Sequence, residues 1–375
     1  MIDEIKYRKI AAHLESEIRS GKYATRVLPS EMQLVRRFGV GRKTVQRAML
    51  ELQYRGIVTR MHGKGTFLTK RGETLTGLLG LLIPNAASQS FFQSFAREIA
   101  KVGQEKGYTF LYGEAAAGDA ESVALQTRRF AREFAARRVE GVIFRPIIDE
   151  RYTCVNEEVV DVFRKAGVPV VLVDSDIVAP PLRSGFDVVG INNVLSGRRI
   201  ANYLMGIGRR RIAFLINDEP IGISVNLRNR LFGLSGAVSS AGARWSANHV
   251  IRLEPDDVNG FRRMFKRKFI PDAIVCVCDD VALKLMQTLT AIGKRVPEDV
   301  AVVGVDDIDN ARLSVPSLTT IHQPIAQMAE CAFDALQYRM SRPDGIPPRE
   351  ILLDAPLVER GSTGGHMIKR KNKKE

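Results

Sequence analysis

The sequence is poor in the residues that build most metal and thiol-based sites. It has 4 cysteines and 5 histidines in 375 residues, and the cysteines form no Cys-x-x-Cys pair. Cys276 and Cys278 lie in an apolar run that is typical of a buried strand. The histidines are scattered along the chain, at His13, His62, His249, His322 and His366. We therefore predict buried reduced thiols, no metal site and no catalytic triad.

Common enzyme and membrane signals are also missing. The sequence contains no P-loop, no Gly-x-Gly-x-x-Gly after a strand, no His-Glu-x-x-His and no Gly-x-Ser-x-Gly. No apolar run reaches the roughly 18 residues that a membrane span needs. No signal-peptide pattern precedes Lys6. We expect a cytoplasmic protein that binds no cofactor and no membrane.

Positive charge is concentrated at one end of the chain. Residues 1–72 contain 16 Lys and Arg against 6 Asp and Glu, and residues 366–375 contain 5 against 1. The formal net charge of the whole chain is +14, so the residues between these segments sum to zero. An evenly spread solubility charge would not give this pattern. The asymmetry predicts a polyanion-binding domain at the amino end and a different activity in the rest.

The stretch from Pro29 to Leu68 reads as two short helices and a hairpin. Ser30 and Gln33 have the spacing of a capping box, which predicts a helix from Glu31. Gly39 suits the left-handed residue that ends a helix, and a second helix is predicted from Arg42. Short strands at Ile57–Thr59 and Thr66–Leu68 flank a glycine-rich tip. This pattern predicts a helix-turn-helix followed by a wing, supported by an earlier helix at about Tyr7–Ser20.

Several fixed spacings in this region resemble the winged helix-turn-helix of GntR-type bacterial regulators. They include Leu28-Pro29-Ser30-Glu31, Arg42-x-Thr44-Val45 and His62-Gly63-Lys64-Gly65-Thr66-Phe67. The resemblance implies that the recognition helix and the wing contact double-stranded DNA. The predicted DNA-binding residues are Ser30, Glu31, Arg42, Lys43, Thr44, Gln46, Arg47, His62, Gly63 and Lys64.

Two positions depart from the family pattern. Met32 and Gln46 stand where arginine is common. Because a glutamine amide reads adenine where arginine reads guanine, we expect an operator that differs from the family's commonest sequence.

After residue 77, apolar strands alternate with amphipathic helices. Continuous Val, Ile and Leu strands joined by helices predict parallel sheets covered on both faces, and the number of strands favours two sheets. Polar residues follow many of the strands, where parallel sheets bind ligands. They are Asn85, Arg145, Asp174, Asp279 and Asp306. Each of the three aspartates could instead cap the next helix, but five polar residues at strand ends together favour a common cleft.

The same region resembles the effector domain of LacI/GalR regulators, which is similar in fold to periplasmic sugar-binding proteins. The resemblance rests on Leu78–Asn85, Gly206–Phe214, Arg228-x-Arg230-x-x-Gly233 and Pro297–Asp307. A GntR-type reader on a LacI-type sensor is the arrangement of arabinose-type repressors. We predict a DNA-binding domain at 1–69, a linker at 70–77, a two-lobed ligand-binding and dimerisation domain at 78–363, and a disordered basic tail at 364–375.

The resemblance implies a polyol-binding cleft. Carboxylates and an arginine fork share adjacent hydroxyls, and an aromatic ring stacks on the apolar face of a sugar. The predicted ligand-binding residues are Asn85, Phe91, Phe92, Arg145, Asp174, Arg230, Asp279, Asp306 and Gln323. Phe91 and Phe92 could equally belong to the core, and Arg230 could be an exposed helix residue.

The function that follows is a homodimeric transcriptional repressor whose affinity for a DNA operator is controlled by a small molecule, most simply a sugar. The alternative from another class is a sugar-binding α/β enzyme with an attached DNA-binding module, which a turnover assay would identify. A transport binding protein would need an export signal and would not carry a DNA reader.

Overall fold

The amino-terminal domain is three helices and a two-stranded wing. The structure, a computed structural model, describes residues 2–23, 25–61, 64–69, 75–84, 90–115, 119–148, 152–178, 182–216, 225–341 and 347–364. The elements of this domain are α1 (Ile2–Arg19), α2 (Glu31–Phe38), α3 (Arg42–Tyr54), β1 (Val58–Met61) and β2 (Gly65–Leu68). Leu14, Leu34 and Leu52 are fully buried where the three helices meet.

The predicted helix-turn-helix and hairpin are confirmed, with shifted ends. The first helix begins at Ile2 rather than Tyr7, and β1 runs to Met61 rather than ending at Thr59. Val58 pairs with Leu68 and Met61 with Gly65, so the antiparallel register extends the strand beyond the apolar residues that marked it in the sequence.

Lobe 1 of the second domain is built on a six-stranded parallel sheet. Its strands lie in the order β13-β7-β6-β5-β3-β4. The elements are β3 (Leu78–Leu82), α4 (Ser90–Glu105), β4 (Thr109–Gly113), α5 (Ala120–Ala136), β5 (Val142–Phe144), α6 (Thr153–Lys165), β6 (Val170–Val173), β7 (Asp187–Ile191), α12 (Ile325–Ser341) and β13 (Glu350–Leu353). The predicted parallel sheet is confirmed in this lobe.

Lobe 2 repeats the arrangement with one antiparallel edge strand. Its strand order is β14-β12-β11-β10-β8-β9, and only the β12–β14 pair is antiparallel. The elements are α7 (Asn193–Gly206), β8 (Ile212–Ile216), α8 (Val225–Ser240), β9 (Val250–Arg252), α9 (Val258–Met264), β10 (Ala273–Cys276), α10 (Asp279–Ala291), β11 (Ala301–Asp306), α11 (Asp309–Leu313), β12 (Thr319–His322) and β14 (Leu357–Val358).

The chain passes between the lobes three times, after β7, after β12 and after β13. The return to lobe 1 is anchored at Asp187 of β7, which is 1% exposed and accepts bonds from Arg339 of α12 and Arg349. Burial alone would raise the pKa of Asp187, but the two guanidinium groups lower it to about 2. This buried ion cluster fixes α12 to lobe 1.

Two glycines allow α7 and α8 to touch backbone to backbone. A Cβ on Gly197 would lie 2.0 Å from the carbonyl oxygen of Arg230, and a Cβ on Gly233 would lie 2.0 Å from that of Val194. Any larger residue at either position would push the helices apart. The close crossing therefore fixes where the side chain of Arg230 begins.

The cysteine prediction is only partly right. Cys276 is buried in β10, but Cys154 is exposed in the first turn of α6, and Cys278 and Cys331 are half-buried. Burial raises the pKa of Cys276. Within the described part of the chain, no helix is long and apolar enough to cross a membrane. The predicted tail and most of the predicted linker lie outside the described residues.

Candidate DNA-binding and ligand-binding sites

The start of α2 is held by the predicted capping box. The backbone N–H of Gln33 donates to Ser30 Oγ at 3.4 Å, and Gln33 Oε1 accepts from the N–H of Ser30 at 2.8 Å. Gly39 ends the helix in the left-handed conformation, at φ 61°. These local interactions set the tight joint between α2 and α3.

Glu31 gathers the polar groups of the reading surface. Its side chain accepts from Arg42 Nε at 3.3 Å, from Gln46 Nε2 at 3.1 Å, and from Arg60 of β1. The side chain of Arg42 remains 67% exposed. Glu31 thus ties the two helices of the motif to the wing and leaves the guanidinium group of Arg42 accessible.

The other predicted DNA-binding residues of α3 and the wing differ in exposure. Lys43, Arg47 and Lys64 are exposed, and Thr44 is half-buried. The guanidinium group of Arg47 sits 4.4 Å from the ring centroid of Tyr7 of α1. His62 and Gly63 lie outside the described residues. Arg60 was not predicted because the strand was expected to end at Thr59, two residues before its end at Met61.

In the second domain, Arg145 and Asp174 face each other at the ends of β5 and β6. Arg145 is 4% exposed, and its Nε lies 3.5 Å from Asp174 Oδ2. Its guanidinium carbon is 4.0 Å from the ring centroid of Phe92. Burial lowers the pKa of Arg145 and raises that of Asp174, while their mutual attraction opposes both shifts.

Arg230 enters the same region from lobe 2. It is 5% exposed, donates to Asn193 Oδ1 through Nε at 3.2 Å and Nη2 at 2.8 Å, and donates to the Val277 carbonyl at 2.6 Å. Burial lowers its pKa, and the charges of Asp306 and Asp174 oppose that shift. The alternative interpretation, an exposed helix arginine, is wrong.

Asp306 completes a group of four charged side chains, of which the two arginines are buried and the two aspartates are half-buried. It ends β11 and accepts from Gln323 Nε2 at 2.6 Å. Burial raises its pKa to about 7; Arg230 and Gln323 act to lower it, and Asp174 acts to raise it further. Arg145, Asp174, Arg230 and Asp306 therefore act on one another electrostatically although they are far apart in the sequence. Of the five strand-end residues that the sequence predicts to share a cleft, three come together, Arg145, Asp174 and Asp306.

Two buried polar atoms in this group have no hydrogen-bond partner among the described residues. They are Arg145 Nε and Gln323 Oε1. A buried polar atom without a partner costs about 1 to 3 kcal/mol, so such atoms call for an explanation. A donor and an acceptor on a bound molecule would satisfy both.

The backbone is strained at the same place. Asp174 has φ 72°, Asp306 has φ 121° and Asp307 has φ 58°. Positive φ is uncommon outside glycine, and strain of about 1 to 3 kcal/mol per residue clusters at functional sites. The Asp174 carboxylate meets side chains of both lobes, whereas the Asp307 carboxylate contacts His322 and Arg360 within lobe 2.

The lobes are closed on each other across this cleft. Ser90 of α4 donates to Asp280 of α10 through its N–H at 3.3 Å and its hydroxyl at 3.1 Å. Asn226 of α8 donates to the carbonyl and the carboxylate of Asp174 at 3.0 and 2.7 Å. Neither contact was predicted, because both depend on how far the lobes close rather than on any local pattern.

The other predicted ligand residues lie elsewhere or are already engaged. Phe91 and Phe92 are 3% and 5% exposed and pack on each other edge to face in the core, so only Phe92 touches the cleft, through Arg145. Asp279 accepts from Thr320 Oγ1 at 2.6 Å and from the N–H of Ile308 at 3.0 Å, which uses both its oxygens within lobe 2. Asn85 lies outside the described residues.

The described residues include no group of three or more His, Cys, Asp or Glu side chains placed to hold a metal ion. The cleft offers guanidinium and amide donors and carboxylate acceptors. This set suits a ligand that carries both hydrogen-bond donors and acceptors.

Two family models match different parts of the chain. Residues 6–68 match the bacterial regulatory proteins of the gntR family, and residues 201–363 match the periplasmic binding protein-like domain. The first match covers the winged helix-turn-helix, and the second covers lobe 2 with the returning α12 and β13. The chain therefore contains one domain of each kind.

Curated relatives span most of the chain. It is 27% identical over 382 residues to the arabinose metabolism transcriptional repressor of Halalkalibacterium halodurans, covering 96% of this chain and 97% of that protein. It is 28% identical over 290 residues to the ribose operon repressor of Escherichia coli strain K12, covering 76% and 82%. Among solved structures, a CelR–cellobiose complex shares the fold, with a TM-score of 0.65, 24% identity, and coverage of 86% of this chain and 90% of that one.

Proposed function

Because this chain is a regulator of the combined GntR and LacI type, with a DNA-binding domain joined to a ligand-binding domain, we propose that it is a sugar-responsive transcriptional repressor. In this proposal, α3 and the wing bind the operator, and a neutral sugar binds between the lobes. The observation that carries it is the convergence in the cleft of two buried arginines and two half-buried aspartates, beside two buried polar atoms that have no hydrogen-bond partner among the described residues.

The charge balance of the cleft supports a neutral ligand. When both carboxyl groups are ionised, Asp174 and Asp306 match the charges of Arg145 and Arg230, and each arginine interacts with both aspartates. Adding a charged ligand to a compensated buried set would leave one charge unpaired, which is costly. A neutral molecule with adjacent hydroxyls satisfies both Arg145 Nε and Gln323 Oε1 without adding a charge of its own. The named activities of the arabinose and ribose repressors agree with this ligand class.

On the DNA, Arg42 and Thr44 contact base edges from α3, and the wing residues His62, Gly63 and Lys64 enter the minor groove. Gln46 reads adenine through its amide. One such reader makes too few base contacts to select a site in a genome, so we propose a homodimer. We place its interface on the exposed faces of α4, near Phe95–Glu105, and α10, near Val281–Ala291.

The proposal excludes enzymatic turnover and places the protein in the cytoplasm, where its operator lies. The curated relatives named above are repressors, which agrees with a binding function. If a stabilising sugar were converted to product during incubation, the enzyme alternative would replace this proposal.

A thermal unfolding screen tests the ligand. The panel contains L-arabinose, D-ribose, D-xylose and cellobiose, each paired with a charged counterpart, a sugar phosphate or a sugar acid. A sugar present at about 100 times its Kd stabilises the folded protein by about 2.7 kcal/mol, a clear rise in Tm. We expect a neutral sugar to do this and its charged counterpart not to. Stabilisation by charged ligands alone would contradict the proposed ligand class.

A further inference from the structure

The DNA-binding domain is docked on lobe 1 through a buried tyrosine. Tyr108, the residue before β4, is 4% exposed. The guanidinium carbon of Arg19, at the end of α1, lies 3.5 Å from its ring centroid. Its hydroxyl donates to Glu15 Oε1 of α1 at 3.3 Å. One side chain of lobe 1 thus contacts two charged residues of the DNA-binding domain.

Charged groups close the rim of this contact. Glu15 also binds Arg55, with Nη1 to Oε2 at 2.6 Å, and Arg19. Arg19 Nη1 donates to the Gly107 carbonyl at 3.1 Å, and Arg19 Nε lies 3.9 Å from Glu140 Oε1. The side chains of Arg19, Glu15 and Glu140 are 7%, 5% and 10% exposed.

The segment between the domains is held at the same place. Glu140 Oε1 accepts from the backbone N–H groups of Thr76 at 2.9 Å and Gly77 at 2.6 Å. Breaking a buried ion pair by removing one partner typically costs about 3 to 5 kcal/mol. A network of this kind fixes an orientation, which a DNA-binding domain on a free tether would not need.

The other edge of Tyr108 touches the helix that leaves the ligand cleft. The ring of Phe333, in α12, lies 5.6 Å from that of Tyr108 at an interplanar angle of 70°. The start of α12 at Ile325 comes two residues after Gln323, which donates to Asp306. From the cleft to the docked domain, the path therefore consists of one helix and two rings.

A second helix, α4, also runs from the cleft to the neighbourhood of Tyr108. The first residue of α4, Ser90, binds Asp280 across the cleft, and Phe92 lies beneath Arg145. The last residue of α4 is Glu105, three positions before Tyr108. Phe92, Phe95, Tyr108 and Phe333 belong to one continuous core. Packed helices of this kind move as rigid bodies, because close-packed cores do not deform gradually.

We propose that Tyr108 is the positioning residue that transmits the state of the cleft to the DNA-binding domain. Closure of the lobes holds α4 and α12 in one arrangement. Tyr108, packed between Phe333 and Arg19, then fixes the angle of α1 relative to lobe 1. Opening the cleft shifts the two helices and releases that angle. This inference rests on the proposed function for the ligand that closes the cleft, but the contact itself can be tested without a sugar.

The test is a double-mutant cycle on operator affinity in the full chain. The DNA is a duplex selected by the parent protein from a random-sequence pool. Asp280→Ala removes the bonds to Ser90 and favours the open cleft; Tyr108→Ala removes the clamp. We expect Asp280→Ala to change operator affinity on the order of tenfold in the parent, a typical coupling between two sites, but by less than about twofold in Tyr108→Ala.

Controls separate transmission from loss of structure. Tyr108→Phe keeps both ring contacts and should preserve most of the coupling. Arg19→Met keeps the aliphatic stem but removes the guanidinium group from the ring, and should lose the coupling even if Tyr108→Ala does not fold. Amide hydrogen exchange over residues 7–19 should be faster in both Tyr108→Ala and Arg19→Met than in the parent.

Three results would overturn the inference. Asp280→Ala could change affinity equally with and without the tyrosine ring, which would place the route elsewhere. Asp280→Ala could have no effect on operator affinity in the parent, which would show that the state of the cleft does not affect the DNA-binding domain. Hydrogen exchange in α1 could be unchanged by Tyr108→Ala, which would show that the domains are not docked. None of these depends on the sugar screen, so the two proposals fail separately.

Discussion

The DNA-binding domain and the ligand cleft use charged side chains in opposite ways. The reading surface keeps Arg42, Lys43 and Arg47 exposed, within a segment whose formal charge is +10. The cleft buries Arg145 and Arg230 and balances them with carboxylates. A polyanion is bound by exposed cations that release its counterions, whereas a small neutral molecule is bound by groups already stripped of water.

This contrast predicts opposite responses to salt. If a dimer contacts six or more phosphates, operator affinity should fall at least roughly a thousandfold between about 50 and about 200 mM salt. Sugar affinity should change little over the same range, because buried pairs are screened far less than exposed ones. Fluorescence anisotropy and calorimetry on the same preparation measure both. If both affinities fell equally with salt, the proposed difference between exposed charges on the DNA-binding surface and buried charges in the cleft would be wrong.

The second prediction removes a buried charge from the cleft. Arg230→Ala leaves Asn193 without its donor and removes the positive charge that most stabilises the ionised Asp306. Truncating one partner of a buried charge pair costs about 2 to 5 kcal/mol, so sugar affinity should fall at least about thirtyfold.

Operator binding without sugar should be unchanged in this variant. Arg244→Ala, which removes an exposed arginine of the same lobe, should alter neither affinity. Loss of operator binding by a folded Arg230→Ala protein would show that reading and sensing are not separate.

The third prediction removes an exposed charge from the reader. Arg42→Ala should cost about 1 to 3 kcal/mol on the selected operator and much less on random duplex DNA, if Arg42 reads a base. Lys9→Ala removes the same charge from the exposed side of α1 and should weaken binding to the two duplexes equally. Equal losses for Arg42→Ala on the two duplexes would reduce Arg42 to a phosphate contact.

The two regions also differ in how much their sequences reveal. The helix-turn-helix is specified locally, because Ser30, Gln33 and Gly39 cap its first helix within ten residues. For the cleft, the sequence reveals which residues follow a parallel strand, because that is a local signal. It does not reveal which of those residues meet in the folded protein. The contact between Arg19 and Tyr108 could not be predicted, because the two residues are 89 positions apart and neither segment contains a local pattern that points to the other.

Asp279 shows the limit of the strand-end rule. It follows β10 as Asp306 ends β11, yet its partners Thr320 and Ile308 lie within lobe 2. Asp306 instead has positive φ, and among the described residues its carboxylate accepts a hydrogen bond from one side chain, that of Gln323. Position alone does not separate a carboxylate that organises the fold from one that is available to a ligand; the tertiary hydrogen bonds do.

The smallest predicted effect concerns pH and follows from that difference. Burial raises the pKa of Asp306 to about 7, so the carboxyl group is largely protonated in the empty cleft below that pH. Through this group alone, the folded state becomes less stable as pH rises from about 4, the unfolded pKa, to about 7. A sugar hydroxyl that donates to Asp306 favours the ionised form. Binding then releases a proton below about pH 7, and sugar affinity should rise by up to roughly tenfold from about pH 6 to about pH 8.

Calorimetry in buffers of different ionisation enthalpy would count the released proton directly. In Asp306→Asn the side chain no longer titrates, so both the proton release and the rise in affinity should disappear, although a weakened complex still forms. Operator binding without sugar should not show this pH dependence, because Gln323 can donate to Asp306 whether or not the carboxyl group is protonated, so protonation alone leaves the cleft as it is. An affinity that falls as pH rises would mean that a protonated Asp306 donates to the ligand. The bound group would then be an acceptor, and the assignment of Asp306 as the acceptor for a sugar hydroxyl would be wrong.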